Sequence, residues 1–221
     1  MTTRRILATV RFLFGVFTLL VVGIQLGVHM GHGYSVLNFF SYFTNLSNIF
    51  AAAVLIVEAT LSWRRRELGP LWQLVRCASV VCMTLVGIVF LALLRDVDLG
   101  SLLPWINVWL HYVMPVGVLL DWLALSPSRS IAYGKVAYLV VLPLAYLAYS
   151  LIRGVAIGWF AYPFLNPASG GWGAVALTCA VIAVVFVTAS FVLVAVANRL
   201  RRYGCSLPDH TIAGPWWSAK W

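Results

Sequence analysis

Thr44 and His111 are the residues whose types and surroundings permit nucleophilic and acid–base chemistry in an apolar medium. Thr44 stands in the segment NFFSYFTNLSN, where Ser41, Thr44 and Asn48 recur at i, i+3 and i+7 with Ser47 beside them. On a helix that spacing gathers them on one face. His111 stands in PWINVWLHYVMPVGVLLDW, one turn after Asn107, and alone of the histidines lies well inside an apolar run. A hydroxyl next to an imidazole is enough for covalent ester cleavage. The imidazole takes the hydroxyl proton, the alkoxide attacks the carbonyl, and the acyl-enzyme is then hydrolysed. Asn48, Ser47 and Asn107 are neutral donors able to serve a developing oxyanion, and Ser41 extends the same polar face. Structural roles compete for each of them, because Ser and Thr bond the carbonyl one turn back and Asn and Ser join membrane helices.

The elements that position these residues follow from composition. Of 221 residues, 62% are hydrophobic and 10% charged, with a mean hydropathy of +0.95. A soluble domain carries about a quarter charged residues, so lipid must be the solvent for most of this chain. Six apolar runs, roughly 8–28, 37–61, 74–94, 104–125, 136–152 and 172–197, are each long enough to cross a hydrocarbon core. The reading is an all-α bundle of six transmembrane helices over residues 1–221, with a tail from 199 to 221. The first run is too long for a signal-peptide core and reads as a retained helix.

Charge sets the expected orientation. Thirteen of the fifteen cations flank the runs on one side, and only Arg95 and Arg153 lie on the other. The positive-inside rule then puts both termini in the cytoplasm of what the arginine-rich, lysine-poor composition hints is a bacterial plasma membrane. The net charge of +9 is no nucleic-acid footprint, since no segment outside the membrane is long enough for a reader module. Arg11 and Arg76 are expected to snorkel to the inner interface, and Glu58 and Asp121 to pair with Arg64, Arg65 or Arg76. Pro115 and Pro143 are expected to kink their helices. The outer segment 153–171 reads as a cap that folds back, with Arg153 near a substrate carboxylate or phosphate. The tail GPWWSAKW reads as lying flat on the inner leaflet. Cys77, Cys82, Cys179 and Cys205 have no metal-ligand spacing, and no disulfide or cofactor is implied.

Depth connects the two reactive residues. If the second helix starts near Leu37 and the fourth near Pro104, Thr44 and His111 each lie seven residues down, roughly 10 Å below the outer rim. The spacing predicts a shared level; it does not say that they face each other.

At these residues the chain resembles the androgen-induced-gene-like intramembrane threonine hydrolases and their bacterial six-helix relatives. Tyr42-Phe43-Thr44 stands where that family has F-x-T near the start of an apolar helix. Asn107, His111 and Pro115 match an N-x3-H followed by a helix proline, and Tyr162, Pro163, Phe164 and Leu165 match a Y-P-F-L segment after the fifth helix. The proline follows the histidine one residue sooner here, and the loops are richer in arginine. The resemblance implies a hydrolase of fatty acid esters of hydroxy fatty acids, with Thr44 as nucleophile, His111 as base and Tyr162 at the substrate.

Two other classes fit the residue types. His29, His32 and His111, with Asp96 and Asp98, would supply ligands for a zinc-dependent hydrolase. A non-enzymatic membrane partner or transporter subunit needs neither pair, although transporters usually carry internal repeats or several intramembrane charges, and neither is evident.

Overall fold

The computed structural model describes residues 2–66, 69–125 and 130–202. Its helices are α1 (Thr2–Gly31), α2 (Val36–Phe40), α3 (Phe43–Trp63), α4 (Pro70–Val89), α5 (Pro104–Val108), α6 (Met114–Ala124), α7 (Val136–Ile157) and α8 (Gly171–Arg202). Wider π turns occupy Phe90–Leu94 after α4 and Trp109–Val113 between α5 and α6. Six helical spans result that are long and apolar enough to cross a membrane, and no strand occurs among the described residues. Large apolar side chains cover the outside. Leu71 is 75% exposed, Tyr138 69%, Ile152 70% and Leu177 68%, a surface that only a bilayer solvates without cost.

Local sequence accounts for the boundaries. Pro70 and Pro104 open α4 and α5, where a missing amide proton costs nothing. Gly158, at φ +69°, ends α7 in the left-handed conformation that glycine tolerates. The proline expectation for the fourth span resolves into a π turn. Pro115 cannot donate to the His111 carbonyl, and the wider turn over Trp109–Val113 precedes it directly. Gly87 of α4 fits against this place, since a Cβ there would lie 3.4 Å from the Pro115 side chain and 3.9 Å from the His111 carbonyl oxygen.

α4 is the central helix. Cys77, Val81 and Met83 have no exposed area, and they pack with Ala51 and Leu55 of α3, Val118 and Trp122 of α6, and Phe186 and Val194 of α8. α1 lies tightly on α3, for a Cβ on Gly15 would sit 2.8 Å from the Ala52 carbonyl oxygen.

Three sequence expectations need correction. The second span begins at Phe43 instead of Leu37, because Ser41 donates its hydroxyl to the Leu37 carbonyl and Tyr42 is extended at ψ 125°. α2 is a separate short helix, and Thr44 sits in the first turn of α3. The fifth span runs to Ile157, so Arg153 is helical and not a loop residue. Arg11 and Arg76 do not snorkel outward. They turn into a closed network with Glu58 and Asp121: Arg11 meets Asp121 at 2.6 Å and Glu58 at 3.3 Å, and Arg76 meets them at 3.0 and 3.2 Å. Of the partners expected for the two carboxylates, Arg76 is found, and Arg11 joins it. Burying two arginines beside two carboxylates leaves no net charge to hydrate. The Trp-rich tail, Cys205, Arg129 and Lys220 lie outside the described residues.

Residues 158–170 fold back as expected, through short 3-10 turns at Pro163–Leu165 and Pro167–Ser169. Ala161, Tyr162 and Leu165 pack on Phe90 and Leu94, closing one end of the bundle.

Candidate functional site

Below this cap lies an apolar cavity of about 100 Å³. Val86 and Val89 of α4, Pro143 and Leu147 of α7 and Phe186 of α8 supply much of its wall. It opens sideways between α7 and α8, where the lining residues Leu144 and Ala183 are exposed to the surroundings of the bundle. Polar chemistry on the wall is confined to Thr44, the phenols of Tyr146 and Tyr162, and the thiol of Cys179.

Thr44 is 8% exposed, and its partner is Tyr162. The Thr44 amide donates to the Tyr162 oxygen at 3.3 Å, and Thr44 Oγ1 lies 3.5 Å from the same atom. As a first-turn residue Thr44 has no amide acceptor inside α3, which leaves its N–H available to the phenol. The Tyr162 ring is fixed by parallel stacking on Phe164 at 5.1 Å and by an edge contact with Tyr42 at 5.7 Å. Burial pushes the Tyr162 phenol above its usual range, so it is neutral and carries a proton to donate. Tyr146 is committed elsewhere, donating to the Ser41 carbonyl at 2.9 Å, while the Ser41 hydroxyl also meets the Tyr149 phenol at 2.8 Å.

His111 is 6% exposed and lies off the cavity wall. Its ring stacks on Phe90 with centroids 4.0 Å apart and planes inclined by 23°. Nδ1 lies 3.2 Å from the Asn107 carbonyl oxygen, so Nδ1 carries the proton and the Nε2 lone pair is free. No hydrogen bond joins Thr44 to His111 among the described residues. The two segments are nevertheless neighbours. Asn48 Nδ2 donates to the Thr44 carbonyl at 2.8 Å and to the carbonyl of Leu110 at 3.3 Å, the residue before the histidine.

The remaining candidates divide. Asn48 is fully buried, and among the described residues neither its Oδ1 nor the buried Asn107 Oδ1 has a hydrogen-bond partner; a ring nitrogen or a water would satisfy such acceptors. Asn107 orients the histidine through its backbone carbonyl instead of its side chain. Ser47 is buried, and like Asn107 it is absent from the cavity wall. Arg153 donates from Nη2 to Asn38 Oδ1 at 2.7 Å and lies 4.9 Å over the Trp159 ring. It too is away from the cavity wall, and among the described residues no carboxylate pairs with it.

His29 and His32 bond the Ser35 and Val28 carbonyls at the C-terminal end of α1 and just beyond it, and among the described residues no three metal-binding side chains converge. Sequence reasoning passed over Phe90 and Tyr146. Both sit in apolar runs whose periodicity carries no sign of a π turn or a cavity.

Fold and surface define a polytopic α-helical membrane protein. No protein-family model, no curated protein and no solved structure matches the chain.

Proposed function

We propose that the chain is an intramembrane hydrolase of long-chain acyl esters, with Thr44 as nucleophile and His111 as general base. One observation carries this reading: a threonine hydroxyl lines a cavity whose walls are otherwise almost all hydrocarbon and whose lining reaches the exposed Leu144 and Ala183. An acyl chain entering between α7 and α8 would lay its methylenes on the apolar wall and bring its ester carbonyl to Thr44. Thr44 Oγ1 forms the bond to the carbonyl carbon, and its proton passes to His111 Nε2, the nitrogen left free by the Asn107 contact. The alcohol leaves with that proton, and water repeats the sequence to release the fatty acid. In the absence of a Thr44–His111 hydrogen bond, the proton passes through an intervening water while the imidazole stays stacked on Phe90.

Fatty acid esters of hydroxy fatty acids are the substrate class implied by the family resemblance. The cation asymmetry supports placing both termini in the cytoplasm and the cavity toward the outer leaflet.

A second reading is a membrane protein that binds a lipid chain without cleaving it, favoured by the missing contact between Thr44 and His111. A long-chain phosphonate probe that traps nucleophilic alcohols separates the two. Labelling of the wild type, lost in Thr44→Ala and His111→Ala variants that fold normally, supports the hydrolase. Chain binding without labelling selects the second reading.

A further inference from the structure

We propose that Tyr162 and the Thr44 amide together form the oxyanion hole of this site, with the phenolic O–H donating to the carbonyl oxygen as it becomes negatively charged. This rests on Thr44 being the nucleophile and assigns Tyr162 a catalytic role that binding of substrate alone does not require.

Three observations converge on the phenol. It is the group in contact with both polar atoms of Thr44 that matter for acyl transfer, at 3.3 Å from the amide nitrogen and 3.5 Å from Oγ1. It lies on the cavity wall, so a bound carbonyl has access to it. Its oxygen already accepts the Thr44 N–H, so its own proton is left for Oγ1, a long contact, for the neighbouring Tyr146 oxygen, or for a ligand oxygen. Burial keeps the phenol protonated, as a donor must be. The neighbouring phenol of Tyr146 is no substitute, because its proton is bonded to the Ser41 carbonyl. A carbonyl oxygen that inserts between the Tyr162 oxygen and the Thr44 amide receives both hydrogens at once. Pairing the nucleophile's own backbone amide with one side-chain donor is an effective geometry for this task.

The step balances without any further reagent. As Oγ1 bonds to the carbonyl carbon, the carbonyl π pair moves onto oxygen and is held there by the two donors. Collapse re-forms the double bond, expels the alcohol oxygen with the proton taken from Thr44, and returns Tyr162 with its proton unmoved.

The test compares two ligands of equal chain length on the full-length protein in lipid nanodiscs. A long-chain trifluoromethyl ketone, which a nucleophilic hydroxyl converts into a tetrahedral oxyanion, mimics the transition state; the corresponding ether has no carbonyl and mimics chain binding alone. Tyr162→Phe should weaken the ketone by roughly 10²–10³-fold and leave the ether unchanged. Parallel losses for both ligands, or no loss for either, overturn the assignment. If the phenylalanine variant does not fold, 3-fluorotyrosine at position 162 keeps the shape and strengthens the donor; it should tighten the ketone alone, and an unchanged ketone affinity overturns the proposal. Thr44→Ala is run alongside. A wild type that binds ketone no better than ether, with no effect of Thr44→Ala, refutes the nucleophile itself and the oxyanion hole with it. A ketone preference that needs Thr44 but not Tyr162 refutes the oxyanion assignment alone.

Discussion

The His111 imidazole lies nearly parallel to the Phe90 ring, with centroids 4.0 Å apart, and each ring sits in a π turn of its own helix. A π turn rotates the side chains that follow it and leaves backbone carbonyls poorly paired, so such turns persist where a side chain has to be re-aimed. Here two of them meet at one stacked pair. Phe90 also touches Tyr112 edge-on at 5.4 Å and belongs to the cluster under the cap, so it links the histidine to the cavity end of the bundle.

Replacing Phe90 by leucine should therefore act on chemistry more than on folding. Loss of aromatic volume in a buried site costs about 1 kcal/mol when the new side chain is of similar size. The imidazole, no longer stacked, samples other rotamers. Turnover of a long-chain ester should fall about tenfold or more with KM little changed, because misplacing a base raises the barrier without weakening chain binding. Steady-state kinetics beside a thermal melt check this, and equal KM with unaltered kcat would remove Phe90 from the site.

At the opposite end, Arg11, Glu58, Arg76 and Asp121 tie α1, α3, α4 and α6 into one charge-neutral knot, and Trp72 adds a hydrogen bond to Glu58 at 3.2 Å. Breaking one member of a buried network leaves an uncompensated charge, at a cost of about 3–5 kcal/mol. Glu58→Gln and Asp121→Asn should each lower the melting temperature in detergent by many degrees and reduce the yield of folded protein. Arg64→Gln, at an exposed position, should leave both unchanged.

Much of this fold is written in hydropathy and charge. Few charged residues, long apolar runs and clustered arginines require a helical bundle in lipid, and the fourth span begins at Pro104, where the sequence placed it, because proline marks helix starts chemically. What escaped was irregular backbone. Nothing in SYFTN distinguishes a continuous helix from one broken by a serine back-bond and an extended tyrosine, so the place of Thr44 in the first turn of α3 was not legible. Arg11 and Arg76 escaped for another reason. Each has apolar neighbours that suit snorkelling, and only the folded arrangement reveals two carboxylates on adjacent helices. The partner of Thr44 was legible in type and not in place, since Tyr162 stood in a motif assigned to substrate binding while the spacing argument pointed to His111.

Glycine 15 offers a test of the α1–α3 seam. A Cβ there would lie 2.8 Å from the Ala52 carbonyl oxygen, a backbone atom that cannot swing aside, and equally close to the Ile56 side chain. Gly15→Val should force the helices apart and cost about 1–3 kcal/mol. Gly23 of the same helix has open space around its Cβ position, so Gly23→Val should be tolerated. Paired melting curves would show whether the close approach is confined to the first site.

The portal between α7 and α8 makes the last prediction quantitative. If acyl chains lie on the cavity wall, each buried methylene contributes about 0.8 kcal/mol, close to a fourfold gain in kcat/KM for every carbon added to the chain. The gain must stop when the cavity is full, and about 100 Å³ has room for only a few methylenes before the chain runs out past Leu144 and Ala183 into lipid. Ala183→Trp puts an indole across that opening and should flatten the chain-length dependence, lowering activity on long-chain esters by at least tenfold while short-chain esters react as before. Thr44 is untouched by this change, so a loss that is uniform across chain lengths would mean that the substitution disturbs the packing of α7 on α8, and that chains do not enter there.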